Sequence, residues 1–443
     1  MPHITPLKEL FRHRLRHGSF SHKVALITGG SLVGQGLVVL ASPILTRLYA
    51  PQDFGSLALF TALSVLLSTI ISLRYEHAIP LATDEQKARA LLFLSLLVAT
   101  LMGSGLLAGA LLMHETAAAL IGTSEHLYLL WLVPCGAWFI SIYQCLSYWA
   151  IRTQAYQALA RTRIQQGAGI TLAQVGLGGL NLSALGLLIG EIAGRAMGIA
   201  CLMRFLSQPL KPPSLAELWI VARTYWRFPI IATISTVINR LGLHILPLAF
   251  AALYGSQVAG CYLLAQRVLG IPSSLVGQSI AQVYFGESVQ LYRSSPRALK
   301  EFYRRLVLRL ILFGASPLMV GGVLAAWLCS VLFGSEWGTA GPYLLLLSPM
   351  FAVQLVVSPL SQTLIVAGRQ GLQLTWDIAR VAAILGTLQT ASWLNWGALW
   401  TVGTVSLVVT LMYILLGLIT WLILLRIGCG EEFLRLSEGA SND

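Results

Sequence analysis

Apolar stretches of about 20 residues recur along nearly the whole chain, parted by short turns that hold most of the charge. Each is long enough to cross a hydrocarbon core of about 30 Å as a helix. The pattern predicts twelve spans, at roughly 24–46, 54–78, 89–113, 127–151, 164–182, 184–205, 229–252, 256–283, 306–333, 342–366, 371–391 and 396–425. The expected fold is therefore all-α and polytopic, with two pseudo-symmetric six-helix lobes around a central cavity. The expected domains are a basic arm 1–23, an N-lobe 24–206, a linker 207–228, a C-lobe 229–425 and a tail 426–443.

The two-lobe expectation comes from repetition. Leu48-Tyr49 with Gly55 recurs as Leu253-Tyr254 with Gly260, a constant offset of 205 residues, and Leu120-Ile121-Gly122 matches Leu332-Phe333-Gly334. With six spans on each side of the linker, this predicts lobes of equal orientation related by an axis along the membrane normal. The linker starts Pro-rich and continues through Trp219, Arg223, Trp226 and Arg227, which predicts an interfacial helix.

One stretch invites a different fold. In 24–40, VALITGGSLVGQGLVVL, an apolar run meets Thr28, Gly29, Gly30, Gly34 and Gly36, and Asp53 follows where a dinucleotide fold holds its ribose acid. That fingerprint needs a strand, a turn and a solvated helix. From Val24 to Thr46 the chain carries no charge, so the glycines are expected to let membrane helices approach closely.

Composition agrees with the spans. Apolar residues make up 56% of the 443 and charged residues 10%, against about 25% charged in soluble domains. The net charge of +12 is a topology signal. With the N-terminus inside, all but six of the 29 Lys and Arg fall in inner loops and span ends, and the outer turns 114–126, 183, 253–255, 334–341 and 392–395 carry none. Both termini are expected in the cytoplasm, and nucleic acid is not an expected partner. The arm places Leu7, Leu10, Phe11 and Leu15 at helical spacing, as in an amphipathic surface helix; an unstructured basic tail fits as well. Its His3, His13, His17 and His22 have no nearby cysteine and read as solvated surface, and the six cysteines lack metal-ligand spacing. No metal or cofactor is expected.

The candidate chemistry lies in the charges that the spans retain: Arg47, Arg74, Arg195, Arg240, Arg267, Arg380, Glu76, Glu191 and Asp377. A charge at the membrane centre is unfavourable by roughly 2.5–3.5 kcal/mol and persists mainly where it meets water or a partner. Arg47 sits beside Asp53 at an outer end, and Arg74 with Glu76 near an inner end where snorkelling is open to both. Glu191 and Arg195 are four apart and Asp377 and Arg380 three apart, so each pair can neutralise itself. Arg240 and Arg267 have no acid within one turn, and His244 lies one turn beyond Arg240. Excess guanidinium favours an anionic cargo, phosphate above all. No GxxxxGK[ST], HExxH or GxSxG motif occurs, and the outer loops hold at most about a dozen residues, so an enzyme is not expected.

The run 43–82, PILTRLYAPQDFGSLALFTALSVLLSTIISLRYEHAIPLA, resembles the start of bacterial polysaccharide biosynthesis proteins, the Wzx-type flippases of the multidrug/oligosaccharidyl-lipid/polysaccharide exporter superfamily. The Pro near the end of span one, the Leu-Tyr-x-Pro-x-Asp-Phe-Gly turn and the Arg-Tyr-Glu triplet carry the likeness; the remaining chain fits in plan more than in local sequence. The resemblance implies transfer of an undecaprenyl-diphosphate-linked oligosaccharide from the cytoplasmic to the periplasmic leaflet of the inner membrane, for O-antigen (lipopolysaccharide), capsule or exopolysaccharide. It implies alternating access coupled to a proton or sodium gradient, and a polysaccharide polymerase and chain-length regulator as partners. Carried onto this chain, Arg74, Arg240 and Arg267, with Arg47, would hold the diphosphate. Glu76, Glu191 or Asp377 would carry a coupling proton, with His244, Arg195 and Arg380 as further polar groups of the cavity. The alternatives are a cation antiporter of the same superfamily, a peptidoglycan-precursor flippase (a role that brings two further helices) and a membrane glycosyltransferase or polymerase. Bases outnumber acids six to three among the retained charges, against an organic-cation pocket, and no long loop with paired carboxylates serves the enzyme reading.

Overall fold

The computed structural model describes residues 20–112, 127–205, 212–226 and 228–428. The arm 1–19, the outer turn 113–126, the linker start 206–211, Arg227 and the tail 429–443 with Cys429 lie outside the described residues, as does the side chain of His22. Every regular element among the described residues is helical. The first span is Phe20–Leu40 followed by Ser42–Leu48, and the next are Pro51–Ile71, Glu85–Leu112, Leu127–Arg152, Tyr156–Gly179 and Ser183–Phe205. Then come Thr233–Tyr254, Ser256–Ala265 running into Ile271–Ser294, Pro296–Leu310 running into Ser316–Trp327, Gly341–Leu360, Gln370–Trp393 and Ala398–Gly428. A helical segment thus stands at each expected span. Eight of them are long and apolar enough to cross a membrane by length and composition. The other four, Tyr156–Gly179, Thr233–Tyr254, Ser256–Ser294 and Gln370–Trp393, are the ones that carry Arg163, Arg240, Arg267 and Asp377 with Arg380.

Several boundaries differ from the sequence pattern: span nine, for one, starts at Pro296 rather than 306 and carries a π turn at Ile311–Ala315. Span two is expected to run to 78, but its helix ends at Ile71. Leu73 and Arg74 adopt φ of 46° and 58°, left-handed conformations no helix can pass through, and a 3-10 segment Tyr75–Leu81 follows. Span eight is interrupted by a π-helical turn, Gln266–Gly270, which contains Arg267.

The chain forms two compact units that meet at Gly260 in the sequence. The helix Thr233–Tyr254 packs on Pro51–Ile71 and belongs to the first. These units record which helices touch; the expected lobes record the order of the repeat, which is a different division.

Within the first unit the glycines act through close packing. A Cβ on Gly34 would overlap the backbone of Arg163, and one on Gly167 the backbone of Gly34, so the helix Phe20–Leu40 lies backbone to backbone on Tyr156–Gly179. The dinucleotide reading of 24–40 has no strand to rest on. Asp53 has a local duty instead: its Oδ2 accepts the Ala50 N–H at 2.9 Å and starts the helix Pro51–Ile71.

The repeat appears as a contact. Pro51 and Gly55 correspond, at the offset of 205, to Ser256 and Gly260. A Cβ on Gly55 would overlap the Ser256 carbonyl oxygen, and a Cβ on Gly260 would overlap that of Pro51. The crossing is reciprocal, as a two-fold relation of the repeats requires. Gly55→Ala and Gly260→Ala are each expected to destabilise the protein by about 1–3 kcal/mol through overpacking. Thermal unfolding in detergent checks this, and wild-type melting in both variants would contradict it.

Within the linker a helix forms over Leu215–Thr224. Ser214 caps it, donating its N–H to Glu217 (2.7 Å) and accepting the Glu217 N–H (3.3 Å). Val221 is buried with Leu218 and Ala222 against the core of the first unit, while Leu215, Trp219 and Ile220 point outward. A row of exposed Leu, Trp and Ile beside a buried face suits a helix lying in a headgroup layer.

Candidate functional site

The family-like turn 48–55 is a scaffold. Tyr49 donates its hydroxyl to the Gln174 carbonyl at 2.7 Å and fills the space above Gly178 and Gly186. Asp53 caps, Phe54 is fully buried and Gly55 takes the crossing. None of these side chains is left over for a ligand.

The triplet Arg74-Tyr75-Glu76 is a different case. The left-handed turn at 73–74 costs of order 1–3 kcal/mol per residue. It folds the Arg74 side chain back across its neighbour, so that Arg74 Nη1 lies 3.2 Å from Glu76 Oε1. Ser72 donates its hydroxyl to the same oxygen at 3.1 Å. Arg74 Nε reaches Thr236 Oγ1 of the helix Thr233–Tyr254 at 3.4 Å. Arg240, one turn further along that helix and half-buried, lies within electrostatic reach of Arg74, Glu76 and Tyr148. His244 follows one turn later, within reach of Arg240. His77 Nε2 lies 3.2 Å from the Tyr148 hydroxyl and 3.9 Å from Glu76 Oε1. Arg74 thus pairs with Glu76, and Arg240, a second guanidinium from a separate element, stands within electrostatic reach of that pair with no acid of its own in ion-pair contact among the described residues.

The surroundings hold this turn in place. Arg152 Nη1 donates to the carbonyls of Ile79 (3.1 Å), Pro80 (3.5 Å) and Ala82 (2.8 Å), and Nη2 to that of Asp84 (3.2 Å). The Tyr75 hydroxyl donates to the Ala222 carbonyl at 3.5 Å, tying the triplet to the interfacial helix. Gln86 bonds Glu217 of that helix, and this bond, ahead of the Ser214 N–H, holds the Glu217 carboxyl below its ordinary range. His77, Tyr148, Thr236 and Arg152 were not legible as partners, because 70 or more residues separate most of them from the atoms they meet.

Arg152→Lys tests the support directly. A compact ammonium cannot span the carbonyls that a guanidinium fork reaches, and hydrogen bonds to a charged group contribute about 1.5–3 kcal/mol. Melting a few degrees lower and a severalfold loss of function are expected; a variant unchanged in both would contradict the role.

Within the first unit, Arg47 and the Glu191–Arg195 pair stand apart from this cluster. Arg47 is exposed in the last turn of Ser42–Leu48, before the helix Pro51–Ile71, and Arg74 follows that helix. At 1.5 Å per residue, its 21 residues separate the two arginines by about 30 Å, too far to hold one diphosphate together. Glu191 and Arg195 pair at 2.7 Å as their spacing predicts.

In the second unit the two terminal nitrogens of Arg380 are engaged by neighbours, while its Nε is buried with no hydrogen-bond partner among the described residues. Nη2 lies 3.3 Å from Asp377 Oδ1, Nη1 donates to the Tyr413 hydroxyl at 3.0 Å, and the guanidinium lies 4.9 Å from the Trp376 ring centre. Arg267 is buried in the π-turn Gln266–Gly270, a distortion that recurs at functional sites.

Residues 44–342 match the family described as "Polysaccharide biosynthesis protein". The chain belongs to that family. Among curated relatives it is 24% identical over 361 residues to the succinoglycan biosynthesis transport protein ExoT of Rhizobium meliloti, covering 80% of this chain and 70% of that one. It is 27% identical over 192 residues to the teichuronic acid biosynthesis protein TuaB of Bacillus subtilis, covering 43% of this chain and 38% of that one. The chain thus spans well under half of the teichuronic acid relative. In fold it is similar to the lipid II flippase MurJ in an inward closed conformation, with a TM-score of 0.63 at 11% identity over 94% of this chain and 93% of that one. That likeness is one of fold: a multi-helix membrane protein.

Proposed function

We propose that this member of the polysaccharide biosynthesis family is a flippase. Its cargo would be an oligosaccharide linked through a diphosphate to undecaprenol, carried from the cytoplasmic to the periplasmic leaflet for O-antigen, capsule or exopolysaccharide assembly. The observation that carries this reading is a second guanidinium, Arg240, within electrostatic reach of the buried Arg74–Glu76 pair. Two neighbouring guanidiniums repel, and an entering diphosphate would remove that repulsion while accepting forked hydrogen bonds from both. A transport role is also in the name of the succinoglycan relative, and a lipid-linked flippase shares the fold.

In this reading Arg74 and Arg240 take the diphosphate at the cytoplasmic end of the spans. Arg267 meets the anionic headgroup in the second unit, and Arg47 meets phosphate at the opposite face. The prenyl tail stays in lipid, since only the glycan and phosphates are barred from hydrocarbon. Two states bound by one ligand and biased by an ion gradient give net movement. The driver would be H+ or Na+, the membrane the inner one with both termini cytoplasmic, and the partners a polymerase and chain-length regulator. No bond is made or broken, so the protein would not be an enzyme.

Deleting the protein from its host tests the reading. Lipid-linked repeat units are expected to accumulate and to resist a glycan-modifying enzyme added outside spheroplasts. Unchanged surface polysaccharide and unchanged lipid carrier would rule out cargo export.

A further inference from the structure

The Glu76 carboxylate has an unusual environment. The residue is fully buried, and its side-chain contacts to other residues run to one oxygen: Oε1 faces Arg74 Nη1, the Ser72 hydroxyl and, further off, His77 Nε2. Its second oxygen, Oε2, is buried with no hydrogen-bond partner among the described residues. The charged and titratable groups facing it are Arg74 and His77 from its own segment, Cys145 and Tyr148 from the helix Leu127–Arg152, and Arg240 from Thr233–Tyr254. The helix Glu85–Leu112 packs against the same segment with apolar Ala88, Leu91 and Leu92.

We propose that Glu76 and the cargo diphosphate compete for Arg74, so that loading the cargo and protonating Glu76 are one event. This rests on the flippase reading and names the regulation of its phosphate site. In the empty protein Arg74 and Glu76 form a neutral internal pair. An incoming phosphate oxygen takes the place of Glu76 Oε1 on Arg74 Nη1. The carboxylate is then buried beside an anion with its cation engaged elsewhere, the state that desolvation and like charge both disfavour. One proton from water bonds to the carboxylate and removes its charge; Oε2, free of other bonds, is the oxygen open to it. When the diphosphate leaves, Arg74 pairs again and the proton returns to water. Glu191 and Asp377 do not share this linkage, because their arginines belong to other clusters.

The test is titration calorimetry of the purified full-length protein in detergent with farnesyl diphosphate as the probe. It is run in buffers of different ionisation heat at about pH 8.5, well above the second phosphate pKa of about 6. Wild-type protein is expected to take up close to one proton per probe bound. Glu76→Gln is expected to bind at least tenfold tighter, to take up none, and to lose the rise in affinity toward low pH. Binding by wild type with zero uptake, or with release, overturns the competition and leaves the flippase reading standing. Absence of any binding by wild type overturns both. The wild-type proton count decides the matter even where Glu76→Gln does not fold.

Discussion

Arg240→Gln is expected to abolish glycan export, by at least about tenfold, while the protein reaches the membrane at its normal level. Glutamine keeps a polar, hydrogen-bonding end on a shorter side chain and removes the charge. Arg240 is half-buried and stands near Arg74 with the same sign, so losing it relieves repulsion in the empty protein. Stability should therefore hold or rise. What goes is one of two cations that a diphosphate would meet, and charge-assisted phosphate contacts of this kind are about twice as strong as neutral ones. Arg267→Gln is expected to give the same split between export and protein level. Immunoblots of membranes beside surface-polysaccharide assays check both. Full export in both variants would remove the arginines from the account.

Arg74→Gln should behave otherwise, and its behaviour in combination is the sharper result. Arg74 and Glu76 side chains are 8% and 0% exposed. Removing one partner of a buried pair leaves an uncompensated charge, which destabilises by about 3–5 kcal/mol, whereas replacing both with neutral groups is close to neutral. Arg74→Gln alone is expected to be poorly folded and silent in export. The double variant Arg74→Gln with Glu76→Gln is expected to regain folded protein and to stay silent. That pattern separates the structural duty of the pair from its duty toward cargo. A double variant that exports would show that Arg74 serves only to neutralise Glu76.

Much of this architecture is legible in sequence because hydrocarbon imposes a single rule on every span. The apolar runs locate the helices, and side chains three or four apart on one helix, such as Glu191 with Arg195 and Asp377 with Arg380, announce their own pairing. The repeat of Gly55 at Gly260 reads as a weak coincidence in sequence and becomes a reciprocal backbone contact in the fold. The helix end at Ile71 is hidden, because the apolar run continues through Leu73 while the backbone turns left-handed. The most recognisable motif, 48–55, is consumed by packing. The site depends on Tyr148, Arg152, Thr236 and Arg240, which the fold brings to Arg74–Ala82 from helices far along the chain. No local spacing encodes such contacts.

The central claim is that this protein alone moves a diphosphate-linked glycan lipid across a bilayer by way of its arginines. Purified protein in liposomes loaded with a fluorescent prenyl-diphosphate-linked glycan tests it, with a membrane-impermeant quencher or glycan-cleaving enzyme reporting which leaflet the glycan faces. The account predicts that wild-type protein makes the inner-leaflet pool accessible and that Arg240→Gln does not. Equal accessibility in protein-free, wild-type and Arg240→Gln liposomes would contradict it.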